Sequence, residues 1–288
     1  MSKIMNSTAR VGDRRPVLFI TVGRQRVGKT TFMNVLIQAL RKQGAEIVIW
    51  NADQLNTTHN LAVFHPDALQ PKSSDFEDGK AWLEDRMQDQ MERQYDVMLD
   101  VGGGETPLSR LVREVPIVEA AKRRGIRVVL AYVIGPDQAD VDYLKHYMKD
   151  DLFAPEATLI VMNGGLVLSG RSVVGAFAEI SEHPVIEEAL DRGAEVVLMP
   201  ALSCMSKVTD RGLTFDEAAE GVTKGKLGRM SFFDQERVAI WWQKEIPQFV
   251  ASIPPHWLPA TATETSALLP MAGRSDPEHE SEEAVRAG

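Results

Sequence analysis

Gly23-Arg24-Gln25-Arg26-Val27-Gly28-Lys29-Thr30 is the stretch on which the reading of this chain turns. It fits the pattern G-x-x-x-x-G-K-[ST], follows the apolar run Pro16 to Val22, and opens a run of helical spacing from Thr31 to Leu40. Strand, loop and helix in that order aim the loop's backbone N–H groups and the unpaired donors of the helix start at one point, where phosphate oxygens are stabilised. Gly23, Arg26, Val27, Gly28, Lys29, Thr30 and Thr31 are the expected phosphate cradle. Lys29 would reach the β- and γ-phosphates of a nucleotide, and the Thr30 hydroxyl would ligand Mg²⁺.

Further apolar runs of strand length follow: Ala45 to Trp50, Tyr95 to Val101, Ile126 to Ile134, Ala157 to Met162 and Glu195 to Met199. Between them lie helical patterns over Phe76 to Gln94, Leu108 to Gly125 with a bend at Pro116, Gln138 to Met148, and Ser172 to Arg192 with an interruption at Pro184. Strands that read as continuous apolar runs are buried on both faces, and their regular alternation with helices predicts an α/β fold, a mostly parallel sheet with helices on both faces. Right-handed crossovers then gather the loops that follow the strands along one edge, where ligands bind. A polar, irregular stretch from Asn51 to about Asp75 interrupts the pattern, and loops of that length inside a domain are usually functional or disordered. A short helix over Thr214 to Val222 and a longer amphipathic one over Ser231 to Val250 complete the body, the latter with Phe232, Val238, Trp241, Trp242, Ile246 and Phe249 for one broad face.

The chain has 288 residues, 44% apolar and 25% charged, the balance of an ordinary globular protein. Residues 1–15 read as a mobile basic arm, 16–258 as the folded domain, and 259–288 as a disordered acidic tail holding Asp276, Glu278, Glu280, Glu282 and Glu283. No apolar run approaches bilayer length, the N-terminus has no signal-peptide pattern, and Cys204 is the only cysteine, so a reducing cytoplasmic setting is expected. The formal net charge of −9 argues against nucleic-acid binding by bulk electrostatics. Local clusters, Lys122-Arg123-Arg124 with Arg127, and Lys224, Lys226 and Arg229, could still meet DNA phosphates nonspecifically, although cations at helix ends are commonplace. Six histidines show no metal-ligand spacing, and Ser169 lacks the strand–elbow–helix setting of a hydrolase nucleophile. Trp241 and Trp242 lie in a helix that also carries Asp234, Glu236 and Glu245, which favours docking on the sheet over contact with a membrane.

Two aspartates strengthen the nucleotide reading. Asp100 ends an apolar strand and begins Asp-Val-Gly-Gly; a carboxylate there can hold Mg²⁺ through water, while Gly103 lets the backbone approach a γ-phosphate. Asp53, in Asn51-Ala52-Asp53, can orient water or hold the metal indirectly, whereas Asn51 cannot accept a proton.

These elements together, with Asn163 at the end of the Ala157-to-Met162 strand, resemble the ParA/MinD group of P-loop ATPases, the deviant Walker A family, over about residues 16 to 200. The resemblance implies the three-layer, Rossmann-like P-loop NTPase fold, ATP and Mg²⁺ as cofactors, and hydrolysis involving Lys29 and Asp53. It implies a base contact at Asn163 and at Pro200, and an ATP-dependent homodimer. The family's second, signature lysine falls at Arg24, which keeps the charge and could act across the dimer interface. Its glycine pair is replaced by Gln25 and Arg26, and the first aspartate of its Asp-x-Asp motif by Asn51, which puts the rate of hydrolysis in doubt. The Asn-Lys-x-Asp guanine signature is absent because Gly164 follows Asn163, so adenine is expected. The function implied is an ATP-binding and hydrolysing switch in plasmid or chromosome partition, DNA transfer or intracellular positioning, with a protein partner such as a DNA-binding adaptor. Two alternatives stay open: a monomeric small-molecule kinase or ligase with the Asn51-to-Asp75 stretch as lid, and a non-hydrolysing nucleotide-dependent binding module.

Overall fold

The computed structural model describes residues 14–53, 60–104, 106–148, 153, 155 and 157–262, with 146–148 as backbone only. Most of the expected basic arm, nearly all of the acidic tail and the middle of the Asn51-to-Asp75 stretch lie outside the described residues.

Six strands, β1 (Val17–Val22), β2 (Val48–Asn51), β3 (Val97–Asp100), β4 (Arg127–Ile134), β5 (Ala157–Asn163) and β6 (Glu195–Met199), form one sheet in the order β2-β3-β1-β4-β5-β6. Every pairing is parallel. The sheet reverses its winding at β1, flanked by β3 and β4, so the loop after β1 opens at the switch point where ligands bind in open α/β sheets.

Side chains of β1 alternate between two cores. Val17 and Phe19 join α1 (Lys29–Lys42), α11 (Phe215–Glu220), α12 (Phe232–Ile240) and α13 (Ile246–Ala251) on one face. Leu18, Ile20 and Val22 join α3 (Phe76–Arg93), α4 (Pro107–Glu114), α5 (Ile117–Arg123), α6 (Gln138–Met148), α8 (Ala178–Ser181) and α9 (Pro184–Asp191) on the other. The α/β architecture with helices on both faces, the three-layer fold of the P-loop NTPases, is thus what the strand pattern predicts. The remaining short helices are α2 (Leu61–Phe64), α7 (Val173–Ala176) and α10 (Met205–Thr209), with 3₁₀ turns at Gly164–Leu166 and Pro255–Trp257.

Several local expectations need correction. The bend at Pro116 is a full break: Val115 is extended, and separate helices lie on either side. The expected helix over Ser172 to Arg192 is three pieces, α7 to α9, with Pro184 starting the last. The irregular stretch after β2 holds α2 and a one-residue parallel bridge in which Leu69 exchanges backbone hydrogen bonds with Ile49 and Asn51. The long C-terminal helix widens into a π turn at Trp241–Glu245, because Pro247 just beyond it has no N–H for the ordinary ladder. Trp241 and Trp242 both pack on Phe215, with ring centroids 5.1 and 5.0 Å away, which docks the helix on the body. Phe232, expected on that face, is instead 66% exposed, because it lies in the first turn, ahead of the packed face.

Arg14 and residues 259–262 are part of the packed body. Asp96 gathers them: its carboxylate accepts from the Arg14 guanidinium at 2.8 Å, the Val17 N–H at 2.8 Å and the Ala260 N–H at 2.9 Å.

Candidate functional site

The β1–α1 loop is held in shape by backbone that only certain residues tolerate. Gly23 has φ +148°, and a Cβ there would meet the Val133 carbonyl oxygen at 2.5 Å. Gly28 has φ +90° and caps α1 with no side-chain acceptor. The first-turn amides of Lys29, Thr30 and Thr31 have no carbonyl partner within the helix. Arg26, where the resembling family has glycine, adopts the left-handed conformation at φ +65°.

Lys29 is 6% exposed and its ammonium is turned back onto the loop, donating to the Gly23 carbonyl at 3.1 Å and the Arg24 carbonyl at 2.9 Å. Burial holds its pKa below the usual lysine value, against the attraction of Asp100 and Asp53. Asp100, at the end of β3, is 1% exposed. Its Oδ1 accepts from the Thr21 hydroxyl at 3.1 Å, while its Oδ2 has no hydrogen-bond partner. Burial pushes its carboxyl up to about 6, opposed by the Thr30 hydroxyl, Lys29 and Thr21 and reinforced by Asp53.

A cavity of about 830 Å³ opens over these groups. Lys29, Thr30, Thr31, Gly28, Arg26, Asp53 and Gly103 all line it, so the structure brings together most of the residues expected to bind phosphate and metal. Gly103 lies hard against the phosphate loop: a Cβ there would stand 2.8 Å from the Gln25 nitrogen and 2.6 Å from its Cγ. The Asp53 carboxylate sits beside Gly102, 3.3 Å from where a Cβ would be. Asn51, paired with Asp100 across β2 and β3, is fully buried and its Oδ1 also lacks a partner. Two orphaned buried oxygens on paired residues, one of them a carboxylate with a raised pKa, fit a hydrated divalent cation better than they fit an empty interior. Thr30 and Asp100 would hold it, with Asp53 near enough to act through water.

Three expected site residues lie elsewhere. Arg24 leans away from the cavity and pairs with Asp140 at 2.9 Å and Asp137 at 3.7 Å. The Asp140 carboxylate also accepts the Gly135 N–H at 2.8 Å, which ties the phosphate loop to the end of β4. Asn163 braces the back of the loop: its Nδ2 donates to the Val27 carbonyl at 2.9 Å, its Oδ1 accepts from the Gly165 N–H at 3.0 Å, and a Cβ on Gly28 would collide with it. Pro200 lies under Trp241, whose indole N–H donates to its carbonyl at 3.1 Å.

The far wall of the cavity holds residues not singled out from the sequence: Met205, Ser206 and Thr209 of α10, Asn34 of α1, and Phe64 of α2. Asn34 is fixed by its neighbours, its Oδ1 meeting Gln38 Nε2 at 2.8 Å and His65 Nε2 at 3.0 Å. His65 is buried, and both burial and the Arg41 guanidinium keep its imidazole neutral, down to about 4. Nothing in the local spacing of these residues marks them, since α10 is a five-residue helix and Phe64 and His65 lie in the irregular stretch after β2.

The fold and the shape of this loop are those of the P-loop class. No family model matches the chain, and no curated protein matches it. Solved structures similar in fold include FtsY from Mycoplasma mycoides, at 18% identity and TM-score 0.40 over 64% of this chain and 60% of that one. The signal recognition particle receptor FtsY from Elizabethkingia anophelis, solved with GDP, matches at 17% identity and TM-score 0.45 over 83% of this chain and 66% of that one. The MinD cell division protein of Aquifex aeolicus matches at 14% identity and TM-score 0.41 over 81% and 97%. This chain thus spans less than two thirds of the length of either FtsY, and the likeness is one of fold alone.

Proposed function

We propose that this chain is an ATP-binding, Mg²⁺-dependent and ATP-hydrolysing switch protein of the ParA/MinD kind. It would act in the cytoplasm in DNA partition, DNA transfer or intracellular positioning, through an ATP-dependent homodimer and a protein partner. The observation that carries the reading is the contact of Gly103 with Gln25. The loop that follows the metal-side Asp100 rests directly on the phosphate loop, so a γ-phosphate entering between Lys29 and Gly103 must displace or order it. No described helix is long and apolar enough to cross a membrane.

Lys29 would meet the β- and γ-phosphates after releasing the Gly23 and Arg24 carbonyls, the first-turn amides of α1 would bind phosphate oxygens, and Asp53 would orient the attacking water. Mg²⁺ would supply charge neutralisation on the phosphates when bound at Thr30 and Asp100. Lys29→Ala should abolish ATP binding, and unchanged affinity by calorimetry would sink the assignment. Light scattering with and without ATP tests the dimer.

A second reading, a monomeric small-molecule kinase or ligase, draws on Phe64, which brings the stretch after β2 to the cavity as a wall for a second substrate. A monomer at saturating ATP would favour it. A third, a non-hydrolysing module, draws on the buried Asn51 amide, which cannot serve as a base. Phosphate release that disappears in Asp53→Ala would exclude it.

A further inference from the structure

The turn ahead of α12 presents a basic, aromatic face that the nucleotide site does not use. Residues 221–233 carry Lys224, Lys226 and Arg229 and no acidic residue. Leu227, Phe232 and Phe233 stand 55%, 66% and 70% exposed, the two phenylalanine rings packed edge to face on each other at 5.8 Å rather than on the body. The backbone of the turn is held in place. Arg211 donates to the carbonyls of Leu227 at 3.1 Å and Gly228 at 3.0 Å, and Gly225 and Gly228 take left-handed φ values of +65° and +67°. Exposed bulky side chains held on a rigid turn among cations are the composition of a contact surface.

The chain carries a matching segment. Beyond Ala262 it runs through apolar Leu268, Leu269 and Met271 into Asp276, Glu278, Glu280, Glu282 and Glu283. That segment starts close by. The Ala262 N–H donates to the Gln43 carbonyl at 3.2 Å, Lys42 beside it pairs with Asp216 at 2.5 Å, and the next residue, Glu217, pairs with Lys224 at 2.6 Å. An extended chain covers ~3.3 Å per residue, so the distance is a small part of what residues 263–288 can span. Tethering also gives the segment an effective concentration on the order of millimolar, far above that of a free partner.

We propose that the C-terminal acidic segment of the same chain docks on the face formed by Lys224, Lys226, Leu227, Phe232 and Phe233, its leucines on the phenylalanines and its carboxylates on the lysines. A broad anionic surface, lipid or duplex DNA, fits less well, because Glu217 pairs with Lys224, Glu220 and Glu236 flank the segment in sequence, and the chain as a whole carries −9. A single narrow strand can follow the basic line and avoid them.

The test uses the full chain with a zero-length carbodiimide, which joins carboxylates to amines in contact, followed by peptide mapping of an equal mixture of ¹⁵N-labelled and unlabelled protein. Amide bridges between residues 278–283 and Lys224 or Lys226 are expected within one chain. They should be lost at ~1 M NaCl, where the screening length is about 3 Å, and reduced several-fold in Phe232→Ser/Phe233→Ser. That variant removes no buried contact, so its circular dichroism should match the wild type. No such bridges at low salt, bridges only between labelled and unlabelled chains, or bridges indifferent to the phenylalanines would overturn the proposal. So would sedimentation of the full chain with phosphatidylglycerol vesicles, or retention on duplex DNA, that depends on Phe232 and Phe233.

Discussion

Asp100 should destabilise the nucleotide-free protein at neutral pH, and Asp100→Asn should remove that penalty. Burial raises its carboxyl from 3.8 to about 6. A group whose folded pKa lies above its unfolded value helps the folded state below the unfolded pKa, and that help is lost as pH rises through the folded pKa. At ~1.4 kcal/mol per unit, the ionised carboxylate costs the folded state about 3 kcal/mol at pH 8 and about 0.5 kcal/mol at pH 4. Asparagine keeps the size and the Oδ1 that accepts from Thr21, and removes the charge. The attraction to Lys29 is already contained in the shift. Asp100→Asn should therefore raise the unfolding free energy by ~3 kcal/mol at pH 8 and leave it nearly unchanged at pH 4, read from urea midpoints without nucleotide. Added Mg²⁺ and nucleotide should reverse the ranking, because only the wild type gains a counter-ion for the buried charge. A variant no more stable than wild type at pH 8, or a gain that does not shrink on acidification, would refute the reasoning.

Three further outcomes follow from the same geometry. His65, buried neutral against Arg41, has a folded pKa depressed to about 4 from 6.5. The unfolded chain therefore binds the extra proton between these values, and stability should fall by ~3 kcal/mol as pH drops through that window, a slope absent in His65→Gln. Gly103→Ala places a Cβ on Gln25 and should slow phosphate release by ~10-fold or more while ADP affinity, by calorimetry, holds. Asn163→Ala removes the donor that satisfies the Val27 carbonyl and should cost ~1–2 kcal/mol in urea unfolding together with weaker phosphate binding.

The sheet was legible because its central strands are buried on both faces. Val97 to Asp100 and Arg127 to Ile134 are enclosed along nearly their whole length, so each reads as an uninterrupted apolar run that helices cannot imitate at that brevity. The helices after β5 were less legible. Val173 to Asp191 has enough apolar residues for one long helix, yet three short ones form, and only the break at Pro184 has a covalent cause visible in the chain. Phe232 misled for a related reason: periodicity assigns a face to every turn, including a first turn that overhangs the body it packs on.

In the candidate site, the residues found from sequence are those whose chemistry is local. Gly23, Gly28, Lys29 and Thr30 belong to one loop, and that loop's shape follows from them. Arg24 and Asn163 depend instead on residues distant in the chain. Nothing around Arg24 announces Asp140, and nothing around Asn163 announces the Val27 carbonyl, because both partners are brought there only by the order of β4 and β5 beside β1. The consequence for function is concrete. With Asp140 4% exposed and holding both Arg24 and the Gly135 N–H, any reach of Arg24 toward a second subunit must first break an ion pair with a nearly buried carboxylate. An arginine thus restrained differs from a free loop cation, and its release costs more than the ~0–1 kcal/mol of an exposed pair.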